Sequence, residues 1–269
     1  MRDIAAAPGA ALHAFIASVG RSFLAFLAAV GGLFLFAARA FLSGLTPPYY
    51  PGLILRQFVQ IGYFSLPVVG LTALFTGMVL ALQSHTGFAR FNAEGAVATV
   101  VVLSVTRELG PVIAGLMVAG RVGAAMAAEI GTMRVTEQID ALTTLSTNPL
   151  RYLVLPRLIA GILTLPCLVL VADIIGVFGG FIVATYKLNF DPVAYLTQTE
   201  RYLATMDVVS GLIKAAVFGF IVALMGCYMG YQSRGGAQGV GQATTYAVVS
   251  ASILILLTDY FMTQAFFAS

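Results

Sequence analysis

The chain has 269 residues, of which 59% are hydrophobic and only 9% charged, with a formal charge of +3 and a mean hydropathy of +0.95. A soluble domain carries about 25% charged residues, so the chain reads as an integral membrane protein, and so small a charge does not suggest a nucleic-acid partner. Two cysteines, Cys167 and Cys227, lie in apolar runs, and the two histidines are His13 and His85, which excludes a disulfide framework and a His/Cys metal cluster.

Residues 1–20 are small and mildly polar, and no cleavage site follows the first apolar run, so no cleaved signal peptide is expected. That run, Ser22 to Ala38, is bounded by Arg21 and Arg39. It sits at the short edge of a spanning helix, which needs about 17–25 residues. Positive charge at both ends favours a helix lying in the plane of the cytoplasmic face, with a span as the alternative. Thr46-Pro-Pro-Tyr-Tyr-Pro51 predicts a stiff turn. Arg56 precedes the first span, about Ile61 to Gln83, in which Pro67 kinks the helix or ends a preceding turn. Phe75, Val79 and Leu82, four and three residues apart, make one apolar stripe along it. Ser84 to Gly95 reads as a short polar loop with His85, Arg90, Asn92 and Glu94. The chain thus divides into an N-terminal segment, 1–55, and a transmembrane domain, 56–269.

The second span, about Ala96 to Ala128, contains small residues at every fourth position: Gly115, Ala119, Gly123, Ala127 and, just beyond it, Gly131. A second row is Gly120, Ala124 and Ala128. Such stripes let helices approach closely in lipid, either within the chain or between subunits. Arg107, Glu108, Arg121 and Glu129 interrupt the stretch. An ionised side chain at mid-bilayer costs roughly 2.5–3.5 kcal/mol on insertion scales, so these residues should face protein or a water-filled cavity. At Arg134 the character changes. Thr136 is placed to cap a short helix, with Glu137, Gln138 and Asp140 on its polar side and Val135, Ile139 and Leu142 on an apolar edge. Such a helix suits docking to a soluble partner, or else rests on the lipid surface.

Asn148-Pro149 marks a turn, and Arg134, Arg151 and Arg157 cluster around it. The third span, about Leu158 to Tyr186, is longer than one crossing needs and carries Asp173, which is expected to have a partner. Lys187 to Val208 suggests two short surface helices. The fourth span, about Val209 to Tyr231, has Lys214 near its outer end and a Gly226-x-x-x-Gly230 pair. Ser233 to Thr245 is glycine-rich and reads as a loop, lacking the lysine and the strand-before-helix setting of a phosphate loop. The fifth span, about Tyr246 to Phe267, carries Asp259. The expected fold is therefore all-α: an N-terminal interfacial helix, five transmembrane helices, and a short helix between spans two and three.

Glu-Leu-Gly-Pro (108–111), Ala-Gly-Arg-Val-Gly (119–123), the run Ala128 to Leu142 and Asn-Pro-Leu-Arg-Tyr-Leu (148–153) together resemble the signature of the MlaE-type permeases. The resemblance extends from about Arg56 to the C-terminus and includes the Arg-Gly-Gly-Ala-x-Gly-Val-Gly stretch at 234–241. It implies an interfacial elbow helix and the membrane subunit of an ABC transporter moving phospholipid between the bacterial inner membrane and a tunnel of MCE-domain proteins toward the outer membrane. It also implies a homodimer and two ATPase subunits that carry ATP and magnesium. The short helix would then be the cytoplasmic coupling helix, with Arg134, Thr136, Glu137, Gln138 and Asp140 facing the ATPase.

The residues are consistent with that division of labour. There is no Gly-x-x-x-x-Gly-Lys-Ser/Thr phosphate loop and no Gly-x-Ser-x-Gly nucleophile motif, so ATP would be bound by another polypeptide and no catalytic site or resident cofactor is expected. Grouping Arg21, Arg39, Arg56, Arg134, Arg151, Arg157 and Arg234 on one side makes that side cytoplasmic, with the N-terminus inside and the C-terminus periplasmic. Arg107 is the headgroup candidate, since a guanidinium can hold phosphate through two parallel hydrogen bonds. Glu108 would orient a neighbouring helix or close the pocket, and Phe75, Val79 and Leu82 would line acyl chains; ordinary helix packing is the rival reading. The alternative function is a proton-coupled secondary transporter using Glu108, Glu129, Asp173 and Asp259. A scaffold that anchors partners is a third.

Overall fold

Backbone groups inside a bilayer find no water, so a spanning chain satisfies them internally as helix. The computed structural model describes residues 8–44, 47–91 and 94–267; Thr46 of the expected turn and Asn92 of the expected loop lie outside them. Among the described residues the chain forms helices and no strand.

Helix α1 is Pro8–Ser43, far longer than the run from Ser22 to Ala38, because neither Arg21 nor Arg39 has any reason to break a helix. Residues 17–31 are exposed throughout, and contact with the rest comes from the C-terminal third. There Phe36 packs on Tyr228 and Tyr231, Phe41 packs on Phe220, and Ala40 is buried. Among the described residues, six stretches are long and apolar enough to cross a membrane: Ala17–Ser43, Pro51–Phe88, Val97–Val135, Leu150–Tyr186, Thr205–Tyr231 and Gly236–Phe267. That is one more than the five expected spans, the addition being the N-terminal helix.

Helix α2, Pro51–Ile61, opens on a proline whose missing N–H costs nothing at a helix start. A 3₁₀ turn, Tyr63–Ser65, separates it from α3, Leu66–Phe88, so Pro67 begins a helix rather than kinking one. Span two is α4 (Val97–Ser104), α5 (Gly110–Val118) and α6 (Ala124–Val135), joined by the π-turns Val105–Leu109 and Ala119–Gly123. Pro111 sits in the first turn after a π-turn, where the ladder is already interrupted. The short helix α7 is Gln138–Thr144, and a third π-turn, Leu150–Val154, leads into α8, Leu155–Tyr186.

The connection after α8 holds one helix, α9 (Pro192–Tyr202), where two were expected, because Asp191 caps it through Ala194 N and Thr205 already starts α10, Thr205–Tyr231. The glycine-rich stretch is also not a loop: α11 runs Gly236–Phe267, and only Gly235 and Gly236 take positive φ, at the bend before it.

The packing is built on glycine. The row Gly115, Ala119, Gly123, Ala127, Gly131 is buried, and it meets the same chain. A Cβ on Gly226 would lie 2.9 Å from the Gly123 carbonyl, and one on Gly230 would lie 2.8 Å from the Ala127 carbonyl. Gly131 faces Ser233, just before α11, and Val240 near the start of α11. The stripe therefore seats span two on α10 and α11. The second row, Gly120, Ala124 and Ala128, stays open to varying degrees.

The tightest approach is between α3 and α8, where a Cβ on Gly77 would collide with the Gly176 carbonyl. Overpacking typically costs about 1–3 kcal/mol, and a backbone neighbour cannot move aside as a side chain would. Gly77→Ala is thus expected to lower the midpoint of thermal unfolding in detergent. Gly87→Ala, on the same helix with nothing within 4 Å, should leave it unchanged or raise it. Equal midpoints for the two variants would refute the close α3–α8 contact.

Candidate functional site

Two groups of charged residues stand out, at opposite ends of span two.

The first is inside the bundle. The π-turn Val105–Leu109 adds a residue to one helical turn and rotates the helix beyond it. It turns Val105 and Leu109 toward Val69, Ala73 and Thr76 of α3, and Arg107 and Glu108 toward α10 and α11. Arg107 grips Asp207 through Nε and Nη2, both 2.7 Å from Oδ1, and lies 4.5 Å over the Phe267 ring. Asp207 occupies the first turn of α10, where a carboxylate offsets the helix dipole, and its Oδ2 accepts from Ala204 N.

Lys214 is the centre of the neighbouring group and is 0% exposed. Its amine donates to Glu108 Oε2 at 2.8 Å, Thr263 Oγ1 at 2.6 Å and the Arg107 carbonyl at 3.1 Å, which uses its three N–H bonds. Asp259 Oδ1 lies 3.0 Å from the same nitrogen. The cluster joins spans two, four and five by charge rather than by shape. Lys214 and Asp259 were visible in the sequence as lone charges in apolar runs. Asp207 read as a loop residue, and Thr263 gave no signal.

The pairing is not closed to the outside, since the Arg107 and Glu108 side chains keep 34% and 36% of their surface exposed. Phe75 and Val79 are exposed on α3, and Leu82 is half-buried against a cluster that includes Val97 and Val101. Within one chain, span two therefore separates the two halves of the expected lipid pocket. None of the five residues lines the apolar cavity of about 560 Å³ that opens between α8, α9 and α10 beside Leu170, Ile174, Phe178 and Leu203.

Asp173, on the wall of that cavity, is buried with both carboxylate oxygens unpartnered, against the expectation of a partner. It faces Gly110, where a Cβ would collide with Oδ1, so α8 can approach the π-turn only because residue 110 has no side chain. On α9, outside the spans, burial pushes the Tyr195 phenol up to about 12.

The second group lies where α6 gives way to α7, and α6 there reaches Arg157 of α8, Tyr231 of α10 and Val240 of α11. Ile139 is buried in the main core and Leu142 packs against it, so the apolar edge of α7 is covered by its own chain. Thr136, Glu137, Gln138 and Asp140 are exposed. Thr136 does not cap the helix: its hydroxyl donates back to the Thr132 carbonyl at 2.8 Å and accepts from Gln138 Nε2 at 3.1 Å. Glu137 takes the cap position in left-handed conformation, φ 59°. Arg134 pairs with Asp140 at 2.8 Å and stands 5.7 Å from the Tyr231 ring centre. Nearby, Arg157 pairs with Glu129 at 2.9 Å.

A family model described as Permease MlaE matches residues 54–265. A probable ABC transporter permease protein of Rickettsia felis is 62% identical over 250 residues, covering 93% of this chain and 96% of that protein. The intermembrane phospholipid transport system permease protein MlaE of Haemophilus influenzae is 36% identical over 218 residues, 81% of this chain and 84% of its own length. The chloroplastic protein TRIGALACTOSYLDIACYLGLYCEROL 1 of Arabidopsis thaliana is 39% identical over 215 residues, 79% of this chain and 61% of its own. With the match running from α2 nearly to the end of α11, through both charged groups, the chain belongs to the MlaE permease family.

Proposed function

We propose that the chain is the permease subunit of an ABC transporter that moves phospholipid between the bacterial inner membrane and a tunnel of MCE-domain proteins. It would work as a homodimer, with ATP and magnesium bound on separate ATPase subunits. The observation that carries this reading is the helix α7. Its apolar edge is consumed by the chain's own core, while its polar face is left exposed beyond the end of α6. A helix resting on lipid would keep its apolar edge for the membrane. The exposed face suits a soluble ATPase, which would press on Arg134, Thr136, Glu137, Gln138 and Asp140.

In the orientation set by the basic residues, that end is cytoplasmic, α9 is periplasmic, α1 lies in plane on the cytoplasmic face and the C-terminus is periplasmic. Arg107 would be the headgroup contact and Glu108 would close the pocket beside it, both partly open and held by their pairing with Asp207 and Lys214. Phe75, Val79 and Leu82 would meet acyl chains. A proton relay is less well supported. Glu108, Asp259 and Glu129 each have a cationic partner, which leaves Asp173 as an isolated station.

Affinity purification from the native membrane, with mass spectrometry of proteins and lipids, tests the reading. An ATPase of the ABC class and phospholipid should co-purify with the chain. Recovery of the chain alone, in detergents that preserve other ABC complexes, would refute it.

A further inference from the structure

Arg157 stands at the start of α8 with its side chain 5% exposed, while Glu129, on α6, is 50% exposed. The guanidinium reaches Glu129 Oε2 through Nη2 at 2.9 Å and donates through Nη1 to the Leu153 carbonyl in the third π-turn. One side chain therefore ties α6, the π-turn and α8 together. Between Glu129 and Arg157 the chain runs out along α6, through α7, and back through residues 145–154. This segment is a closed hairpin with α7 at its tip and the ion pair as a crossbar between its legs. Arg134 adds a second tie, from α6 to Asp140 at the tip and to the Tyr231 ring at the end of α10.

A force on the tip has two outcomes. If the legs are free, α7 moves by spreading them, and the displacement ends in the hairpin. If the legs are pinned, α6 and α8 must move as one body, and the displacement passes into the spans. Burial makes the pin stiff. Arg157 is nearly sealed from solvent, so leaving Glu129 would strand a charge.

We infer that Glu129 and Arg157 are positioning residues that convert pressure on α7 into joint movement of spans two and three. The inference rests on the transporter reading above. The pair acts through the helices it joins.

The test uses the full-length permease purified with its ATPase and reconstituted in vesicles of phosphatidylethanolamine and phosphatidylglycerol. Bound ATPase, ATP hydrolysed and lipid moved are measured separately. Glu129→Gln keeps an acceptor at a half-exposed site, so it should fold and bind the ATPase. It should move about five- to tenfold less lipid per ATP, at the lower end of couplings between distant sites. The exchange Glu129→Arg with Arg157→Glu should restore most of that ratio, which a merely structural role would not require. An unchanged ratio in Glu129→Gln, an exchange no better than the single variant, or loss of the ATPase from Glu129→Gln would each overturn the inference. A wild-type chain that takes up no ATPase would remove the transporter reading and the crossbar together. A working wild-type transporter whose Glu129→Gln form moves lipid normally would remove the crossbar alone.

Discussion

Lys214→Met is expected to be among the most damaging single changes in the spans. Methionine fills a similar volume but donates no hydrogen bond, so Glu108 and Asp259 would share a site without a cation between them. Removing one partner of a buried ion pair costs about 3–5 kcal/mol, because the other charge stays behind. Glu108 is partly open, which favours the lower end. The measurement is thermal unfolding in detergent, paired with lipid transfer in vesicles. The double variant Lys214→Met with Glu108→Gln separates the two roles of the cluster. It should recover only part of the unfolding midpoint, since one of the two stranded carboxylates is gone and the more buried Asp259 remains, while transfer stays low because the Glu108 carboxylate no longer closes the pocket. A Lys214→Met protein that melts with wild type would show that the cluster contributes little to holding spans two, four and five together.

The cluster also shows where sequence reading stops. Composition and apolar runs locate the spans because the bilayer leaves helix as the available backbone solution here, and that constraint is local to each run. Glu108, Lys214 and Asp259 were conspicuous for the same reason. Their mutual pairing was not, since it depends on how far each helix is rotated about its axis. Three π-turns set part of that rotation, and each carries an arginine: Arg107, Arg121 and Arg151. Nothing in a linear pattern of period 3.6 marks an added residue per turn, so the side of span two that faces α3 could not be read off. The stripe of small residues gave the opposite case. Its existence was legible, but its partner, the Gly226 and Gly230 face of α10, was one of two open choices until the helices were assembled. The glycine-rich stretch that opens α11 reads as loop because glycine is a poor helix former. The helix runs through Gly239 and Gly241 although each glycine costs about 1 kcal/mol there, and the residues that bury it against the bundle begin at Ala243.

Reversing charge on α7 should break the complex without breaking the permease. Glu137→Lys with Asp140→Lys puts two cations where Arg134 already stands 2.8 Å from Asp140. For the isolated chain the cost is small, because an exposed ion pair contributes about 0.2–1 kcal/mol. At an interface the same charges weigh more: truncating one member of a buried, hydrogen-bonded pair costs about 2–5 kcal/mol. Since each 1.4 kcal/mol is about tenfold in affinity, the ATPase should be lost in purification while the unfolding midpoint of the permease barely moves. Position 137 needs its own control, because its backbone is left-handed and any substitution there changes strain as well as charge. Glu137→Gly relaxes the backbone and removes only the acid. If the carboxylate docks the ATPase, Glu137→Gly should weaken association even as it steadies the turn. If the turn alone matters, Glu137→Gly should bind as well as wild type. Full retention of the ATPase by the double lysine variant would remove α7 as the docking element, while the orientation set by the basic residues would stand.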